Sequence, residues 1–439
     1  MSEIHAETVP FVRETMLPPA IPPRSEPGAL RWLRENLLSG PMNIALTILG
    51  ALILYGVLQG VLPWLLHSVW DAGSLGECRE IIARTWGPDA SGACWAMIRE
   101  RWPQYLFGFY PADLYWRPTL AFVLMFVALA PVLFSFVPRA MLWFSAAYPV
   151  LAFWLLWGGS VWWWAMVIAG LGLGYLVFRL AVVRLGAIVA GTAALVAVTG
   201  WSLYAVAPLS EAMQRVLPVS ITYVASDRFG GFLLSITIGI TAIAGSLPLG
   251  ILLALGRRSD MPLVKSLSVG FIEFIRGVPL ITVLFTASLL LQYFLPPRTQ
   301  FDIILRVIIM ATIFAAAYIA EVIRGGLAAL PRGQYEAADS LGLDYWQAQR
   351  LIIMPQALKI SIPGIVSSFI GLFKDTTLVA FVGLNDPLKG ITQVVRADIN
   401  WKGIYWEPYV FVGAIFFLIC FGMSRYSMYL ERRLMRDNH

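Results

Sequence analysis

About ten continuous apolar stretches limit what this chain of 439 residues can fold into. They fall at about 43–66, 117–137, 140–157, 162–178, 185–206, 229–255, 270–295, 303–326, 357–384 and 408–430. Crossing a hydrocarbon core of about 30 Å takes about 20 apolar residues in a helix, whose backbone polar groups then bond within the segment. The stretches do not alternate with period two, which argues against strands. Charged residues make up 13% of the chain and hydrophobic ones 59%, whereas a soluble protein averages about a quarter charged. The expected fold is an all-α polytopic membrane protein with about ten transmembrane helices.

Basic residues in short connections orient such a chain, because Lys and Arg favour the cytoplasmic side. With the N-terminus inside, the connections holding Arg139, then Arg179 and Arg184, then Arg257, Arg258 and Lys265 all fall inside. So do the segment with Arg332, Arg350 and Lys359 and the tail with Arg432, Arg433 and Arg436. On the opposite side, 158–161 carries no charge, and the loop 67–116 carries four Arg against six acidic residues. Both termini are therefore expected in the cytoplasm. The net charge of +6 is accounted for by these flanking residues. No basic run is interleaved with aromatics on a soluble face, so nucleic acid is not an expected partner; membrane lipid is.

The first forty residues contain Glu3, Glu7, Glu14, Glu26 and Glu35, two Pro-Pro pairs and no apolar core of a signal peptide. They read as a partly disordered cytoplasmic tail, with the first span as an uncleaved insertion signal. Cys420 lies in an apolar stretch. Cys78 and Cys94 share the expected external loop and are a candidate disulfide, favoured over two free thiols in an oxidising compartment.

Composition divides the chain near residue 207. Trp154, Trp157, Trp162, Trp163 and Trp164 cluster at span ends in the first half, as indoles do at the lipid–water boundary. Ionisable groups inside spans belong to the second half. The expected organisation is a tail at 1–40, a module at 41–206 with its external loop at 67–116, and a transport core at 220–434 with a cytoplasmic loop at 331–356. No repeat relates the halves, which counts against an inverted-repeat secondary transporter.

No catalytic constellation is visible. Histidines are limited to His5, His67 and His439, and there is no zinc-ligand spacing or phosphate-binding Gly-rich loop. Neither an enzyme nor a cofactor- or metal-binding chain is expected.

The loop 331–356 is the more informative segment. It reads Glu336-Ala337-Ala338, then Gly342, then Ile352-Ile353-Met354-Pro355. The stretch from Arg332 favours a helix, and Gly342 permits the positive φ at which one ends. Asp344 is a candidate N-cap for a second helix, Tyr345–Leu351, and Pro355 closes the segment before the next span. Two short helices at an angle make a protrusion suited to a groove of a cytosolic protein; the plain alternative is an ordinary amphipathic loop.

Ionised residues within a span cost about 2.5–3.5 kcal/mol on insertion scales, so they are paired or line a cavity. Glu273 with Arg276, and Glu321 with Arg324, are spaced for pairing on one helix face. They read either as structural ion pairs at the boundary or as part of a path for solute. Lys374 and Asp375 are adjacent and diverge around a helix. With Thr376 and Thr377 they are candidates for a polar translocation path.

The spacing of Glu336, Ala337, Ala338, Gly342, Ile352 and Pro355 resembles the EAA loop of ABC importer permeases. The chain differs at Met354, where Leu is usual; the volumes are close. Further motifs, among them 273–280, 317–326, Gly333-Gln334, 355–358 and 374–378, resemble the polar amino-acid branch of that family over about 220–430. The resemblance implies a five-helix permease core, here preceded by a five-helix extension similar to larger permease subunits of general L-amino-acid and glutamate/glutamine/aspartate systems. It implies a multi-pass protein of the bacterial inner membrane that imports polar L-amino acids. Its implied partners are a second, homologous permease in a heterodimer, two cytosolic ATPases that bind the ATP, and a periplasmic amino-acid-binding protein. The alternative function is a secondary transporter or channel that uses the intramembrane charges without an ATPase.

Overall fold

A computed structural model describes residues 28–134, 136–294 and 302–436. Among them, eight helices are long and apolar enough to cross a membrane, and two bent pairs raise the number to ten. The expected tail lies outside the described residues as far as residue 27, as do positions 135 and 295 of two expected spans. In the remainder of the tail, Ala29–Asn36 forms a helix (α1). No proline falls within it, so its backbone bonds run uninterrupted.

Contacts group the chain into two units, and the division near residue 207 suggested by composition is not where they separate. The first unit ends at Ser68 and also includes Ile82–Ala93. Its span, α2 (Pro41–Leu66), begins on Pro41, whose missing N–H has no helical partner to lose at that position. His67 stacks on Trp86, 4.9 Å between ring centroids.

The second unit comprises Val69–Ile81 and Cys94–His439. In its loop region, Cys78, near the start of α3 (Leu75–Trp86), forms a disulfide with Cys94, just before α4 (Ala96–Phe107); their Cα atoms are 6.2 Å apart. Two spans follow, α5 (Trp116–Leu133) and α6 (Leu142–Trp157). The last carbonyls of α6 have no partners in their own helix, and buried side chains supply them. Arg117, 1% exposed, donates from Nε to Leu155 O at 2.6 Å and from Nη1 to Thr222 O at 2.8 Å. The Tyr110 hydroxyl donates to Leu156 O at 2.8 Å; burial pushes its pKa up to about 12, so it keeps its proton. The guanidinium charge also suits the negative end of a helix. Through Thr222 these contacts fasten α6 to the segment that leads into the core, which is why residues 94–206 group with it.

The long helix α7 (Val161–Tyr204) breaks at Gly186, where φ is +77°. Its second arm bends by 52° into α8 (Val206–Val216). Strands β1 (Gly159–Ser160) and β2 (Ser220–Ile221) pair antiparallel across the ends of this excursion.

The core contains α9 (Gly231–Arg257), α10 (Pro262–Gly277), α11 (Leu280–Phe294) and α12 (Ile303–Ala328). The expected span at 270–295 is not one helix: α10 meets the start of α11 at 101°. Val278 precedes Pro279 and is extended, φ −109° and ψ 132°, as steric conflict with the proline ring requires. Helices α9 and α12 pack closely at Gly250, which leaves room for the Ile319 side chain: an added Cβ would stand 2.7 Å from Ile319 Cγ2 and 3.1 Å from Ala316 O. After α13 (Arg332–Ser340) come α14 (Tyr345–Ala348), α15 (Met354–Asp375), α16 (Pro387–Ala397) and α17 (Trp406–Arg436).

At the disulfide end, the loop region is pressed onto the core. The Gly231 N–H donates to Asn385 O at 2.8 Å, and Gly108 bridges Phe229. Gly231 has φ +57°, and a Cβ there would lie 2.1 Å from Tyr105 O. Both conformation and space require glycine.

Candidate functional site

At the opposite end of α9 and α12 sits α13. Its C-terminus forms a Schellman turn: Gly342, at φ +70°, donates its N–H to Asp339 O at 2.9 Å, and the Leu343 N–H reaches Ala338 O at 3.3 Å. Asp344 then caps the next helix. Its carboxylate accepts from the Gln347 N–H at 2.9 Å, while Gln347 Oε1 accepts from the Asp344 N–H at 3.0 Å, a capping box.

The chain then departs from expectation. Pro355 does not close a second short helix, and Tyr345–Leu351 is not a separate element. The helix passes through a π-helical turn at Gln349–Ile353 into α15, forming one candidate span from Tyr345 to Val382. The Met354 N–H bonds five residues back to Gln349 O, and Pro355 lies in the first turn of α15, where its missing N–H is tolerated. The protruding element is therefore one helix and a turn.

The faces of α13 differ. Ala338 is 1% exposed, while Glu336 and Ala337 face outward and Gly342 is exposed. Tyr335 and Ile352 pack on an apolar cluster that includes Ile323, Leu327, Leu330 and Ile353. Gln334 Oε1 accepts from Gln356 Nε2 at 2.9 Å, binding α13 to α15. Arg258, the residue following α9, donates from Nη1 to Tyr335 OH at 2.7 Å and to Leu327 O at 3.2 Å.

On α10 and α12 the four charged residues singled out by spacing come together with a fifth, Arg257 of α9. Glu321 accepts from Arg324 at 2.5 Å and lies 3.3 Å from Arg257 and 3.7 Å from Arg276. Glu273 accepts from Arg257 at 2.7 Å and is only loosely paired with Arg276, at 3.9 Å. Three cations thus surround two carboxylates and hold α9, α10 and α12 together. Arg257 was legible only as a span-flanking charge; its partnership spans 16 residues to Glu273 and more to Glu321.

Lys374 and Asp375 diverge. Lys374 is exposed, whereas Asp375 and Thr376 line a small cavity with Ile238, Leu284 and Ala311. Both threonine hydroxyls bond within their own helix, Thr376 to Phe373 O at 2.7 Å and Thr377 to Lys374 O at 2.9 Å. Contacts that periodicity does not encode were missed at sequence level: Arg258 with Tyr335, Arg117 with the end of α6, and Glu407 with Cys94.

Eight to ten candidate spans among the described residues, with the short helix α13 fastened between two of them by Arg258 and Gln356, define a polytopic α-helical membrane protein. Residues 246–436 match the family described as binding-protein-dependent transport system inner membrane component. The chain is 67% identical over 429 residues, 98% of its length and 99% of the relative's, to a glutamate/glutamine/aspartate/asparagine transport system permease protein of Rhodobacter capsulatus. It is 38% identical over 420 residues, 95% of its length and 96% of the relative's, to an inner membrane amino-acid ABC transporter permease protein of Escherichia coli. A solved amino acid ABC transporter is 29% identical, covering 46% of this chain and 91% of its own, with a TM-score of 0.41. The chain belongs to the family of amino-acid ABC transporter permeases, the inner-membrane components of binding-protein-dependent transport systems.

Proposed function

We propose that this chain is one permease half of an importer for polar L-amino acids, with glutamate, glutamine, aspartate and asparagine as the substrate set. The substrate set follows the full-length relative at 67% identity. A second, homologous permease completes a heterodimer, two cytosolic ATPases bind and hydrolyse the ATP, and a periplasmic binding protein delivers the solute. This chain itself carries no cofactor and does no chemistry. Both termini and α13 face the cytoplasm, a placement supported by Arg257, Arg258, Lys265, Arg332 and Arg350 gathered around the α13 end. The transport core is 220–434, with 331–356 as its coupling loop.

The observation that carries this reading is the asymmetry of α13. Ala338 is buried against the core, while Glu336 and Ala337 are free on the outer face between two spans. ATP-driven closure of the ATPase dimer moves that face, and the spans shift between two packings with different access. Asp375 and Thr376 lie on the solute path, with Lys374 and Thr377 beside them. The charge cluster of Glu273, Arg276, Glu321 and Arg324 holds the cytoplasmic ends of the spans.

The test uses the complete transporter in vesicles, with uptake and ATP hydrolysis measured together. Gly342→Asp places a side chain at φ +70° and deforms the turn. Hydrolysis that continues while uptake falls supports coupling through α13. Normal uptake by that variant, or uptake driven by a proton gradient with the ATPases absent, overturns it.

A further inference from the structure

We propose that Arg258 is a positioning residue for the coupling helix, and that movement of α13 enters α9 through it. The inference rests on the reading of α13 as the element gripped by the ATPase. Covalently, α13 joins α12 through residues 329–331 and, through residues 341–344, α14, which runs on into α15; neither connection reaches α9. Arg258 supplies that link from the C-cap of α9. One Nη1 is shared between Leu327 O in the last turn of α12 and the Tyr335 hydroxyl of α13. The guanidinium also lies over the Tyr335 ring, 5.3 Å from its centroid, within range of a cation–π contact.

Tyr335 is suited to the other side of this joint. Its ring packs on the apolar cluster of Leu327, Leu330 and Ile353, so the hydroxyl is held on a fixed arm. The neighbouring arginine is committed elsewhere: Arg257 bonds Glu273 and approaches Glu321. Two consecutive arginines thus divide the work, one holding the spans together and one holding the coupling helix.

What α9 receives it can carry along its length. It packs backbone-close against α12 at Gly250. At its far end Gly231 bonds Asn385 O, where the disulfide-bonded loop meets the core. A push on Tyr335 therefore has a continuous helix, Gly231–Arg257, along which to reach the far end of the core.

The test is made in vesicles with the complete transporter, comparing Arg258→Ala, Tyr335→Phe, the double variant and Gly342→Asp. Tyr335→Phe keeps the ring packed and removes only the acceptor, so assembly is retained. Each single variant is expected to lower the solute taken up per ATP hydrolysed by about fivefold, the factor one such hydrogen bond contributes. The half-saturating solute concentration stays unchanged, and the double variant is no worse than Arg258→Ala. An unchanged ratio in Tyr335→Phe and Arg258→Ala while Gly342→Asp uncouples overturns the role of Arg258 and leaves the coupling loop standing. An unchanged ratio in all four overturns both. A ratio that falls additively in the double variant shows separate roles and overturns the joint.

Discussion

Glu407, at the start of the last span, accepts a hydrogen bond at 2.8 Å from the backbone N–H of Cys94, 313 residues earlier in the chain. Its side chain is buried, 6% exposed as a residue. The bond joins the disulfide-bonded Cys94 to the last span. Two neighbouring contacts follow the same course: Trp401 Nε1 donates to Glu100 at 2.9 Å, and Arg101 pairs with Asp398. Residues 94–101 are thus a structural part of the permease core.

Replacing Glu407 by Ala leaves the Cys94 N–H without a partner in a buried place. The expected loss of stability is about 1–3 kcal/mol. Glu407→Gln keeps an acceptor oxygen and loses less. Thermal unfolding of the detergent-solubilised protein, followed by tryptophan fluorescence, measures the difference.

Removing the disulfide acts on the same region. Cys78 and Cys94 are 16 residues apart, and a loop of that size is expected to contribute about 3 kcal/mol by restricting the unfolded chain. Cys78→Ala with Cys94→Ala is expected to lower the melting temperature and to expose the loop to protease added from outside. Thiol labelling of the denatured, unreduced wild-type chain should then reach Cys420 alone.

Asp386 makes stability depend on pH. It is fully buried and caps α16, accepting from the Leu388 and Lys389 N–H groups at 2.9 and 3.1 Å. Burial raises its pKa above the usual carboxylate range, outweighing those N–H groups, which lower it. A raised carboxyl means that the folded state holds its proton more tightly than the unfolded state. Its favourable contribution is complete below the ordinary Asp value of about 3.9 and is lost as pH rises through the folded pKa. Asp386→Asn caps a helix equally well without charge. It is expected to unfold with a flatter pH profile than wild type and to be the more stable protein at neutral pH. A wild-type and variant pair with parallel profiles would contradict this assignment.

Much of this fold is legible in the residues. Apolar length locates the spans, and local rules locate the Gly342 turn and the Asp344 cap, because each depends on residues two to five apart. The same local rules fail at Pro355. A proline ordinarily ends a helix, but the π turn before it shifts the bonding pattern and lets the helix run on. The bend at Pro279 was hidden for a different reason: apolar composition is continuous through it, so a broken element reads as one span. The joints made by Arg258, Arg117 and Glu407 are legible in no periodicity, since each partner is set by packing between elements far apart in the chain. Among the site residues, Glu321 and Arg324 pair on one helix turn, as their spacing predicts. Glu273 instead takes Arg257 as its close partner, because helix packing brings a better-placed donor than its own i+3 neighbour.

If α13 is the coupling helix, its outward face is held by an ATPase. Cysteine crosslinking in the assembled transporter, in a background lacking Cys420, tests it most directly by comparing Ala337→Cys with Ala338→Cys. Ala337 faces outward and Ala338 is buried. Ala337→Cys is expected to form an adduct with the ATPase subunit, and Ala338→Cys is not. An Ala337→Cys that reacts with a membrane-impermeant reagent from outside, or that never joins the ATPase, would contradict it.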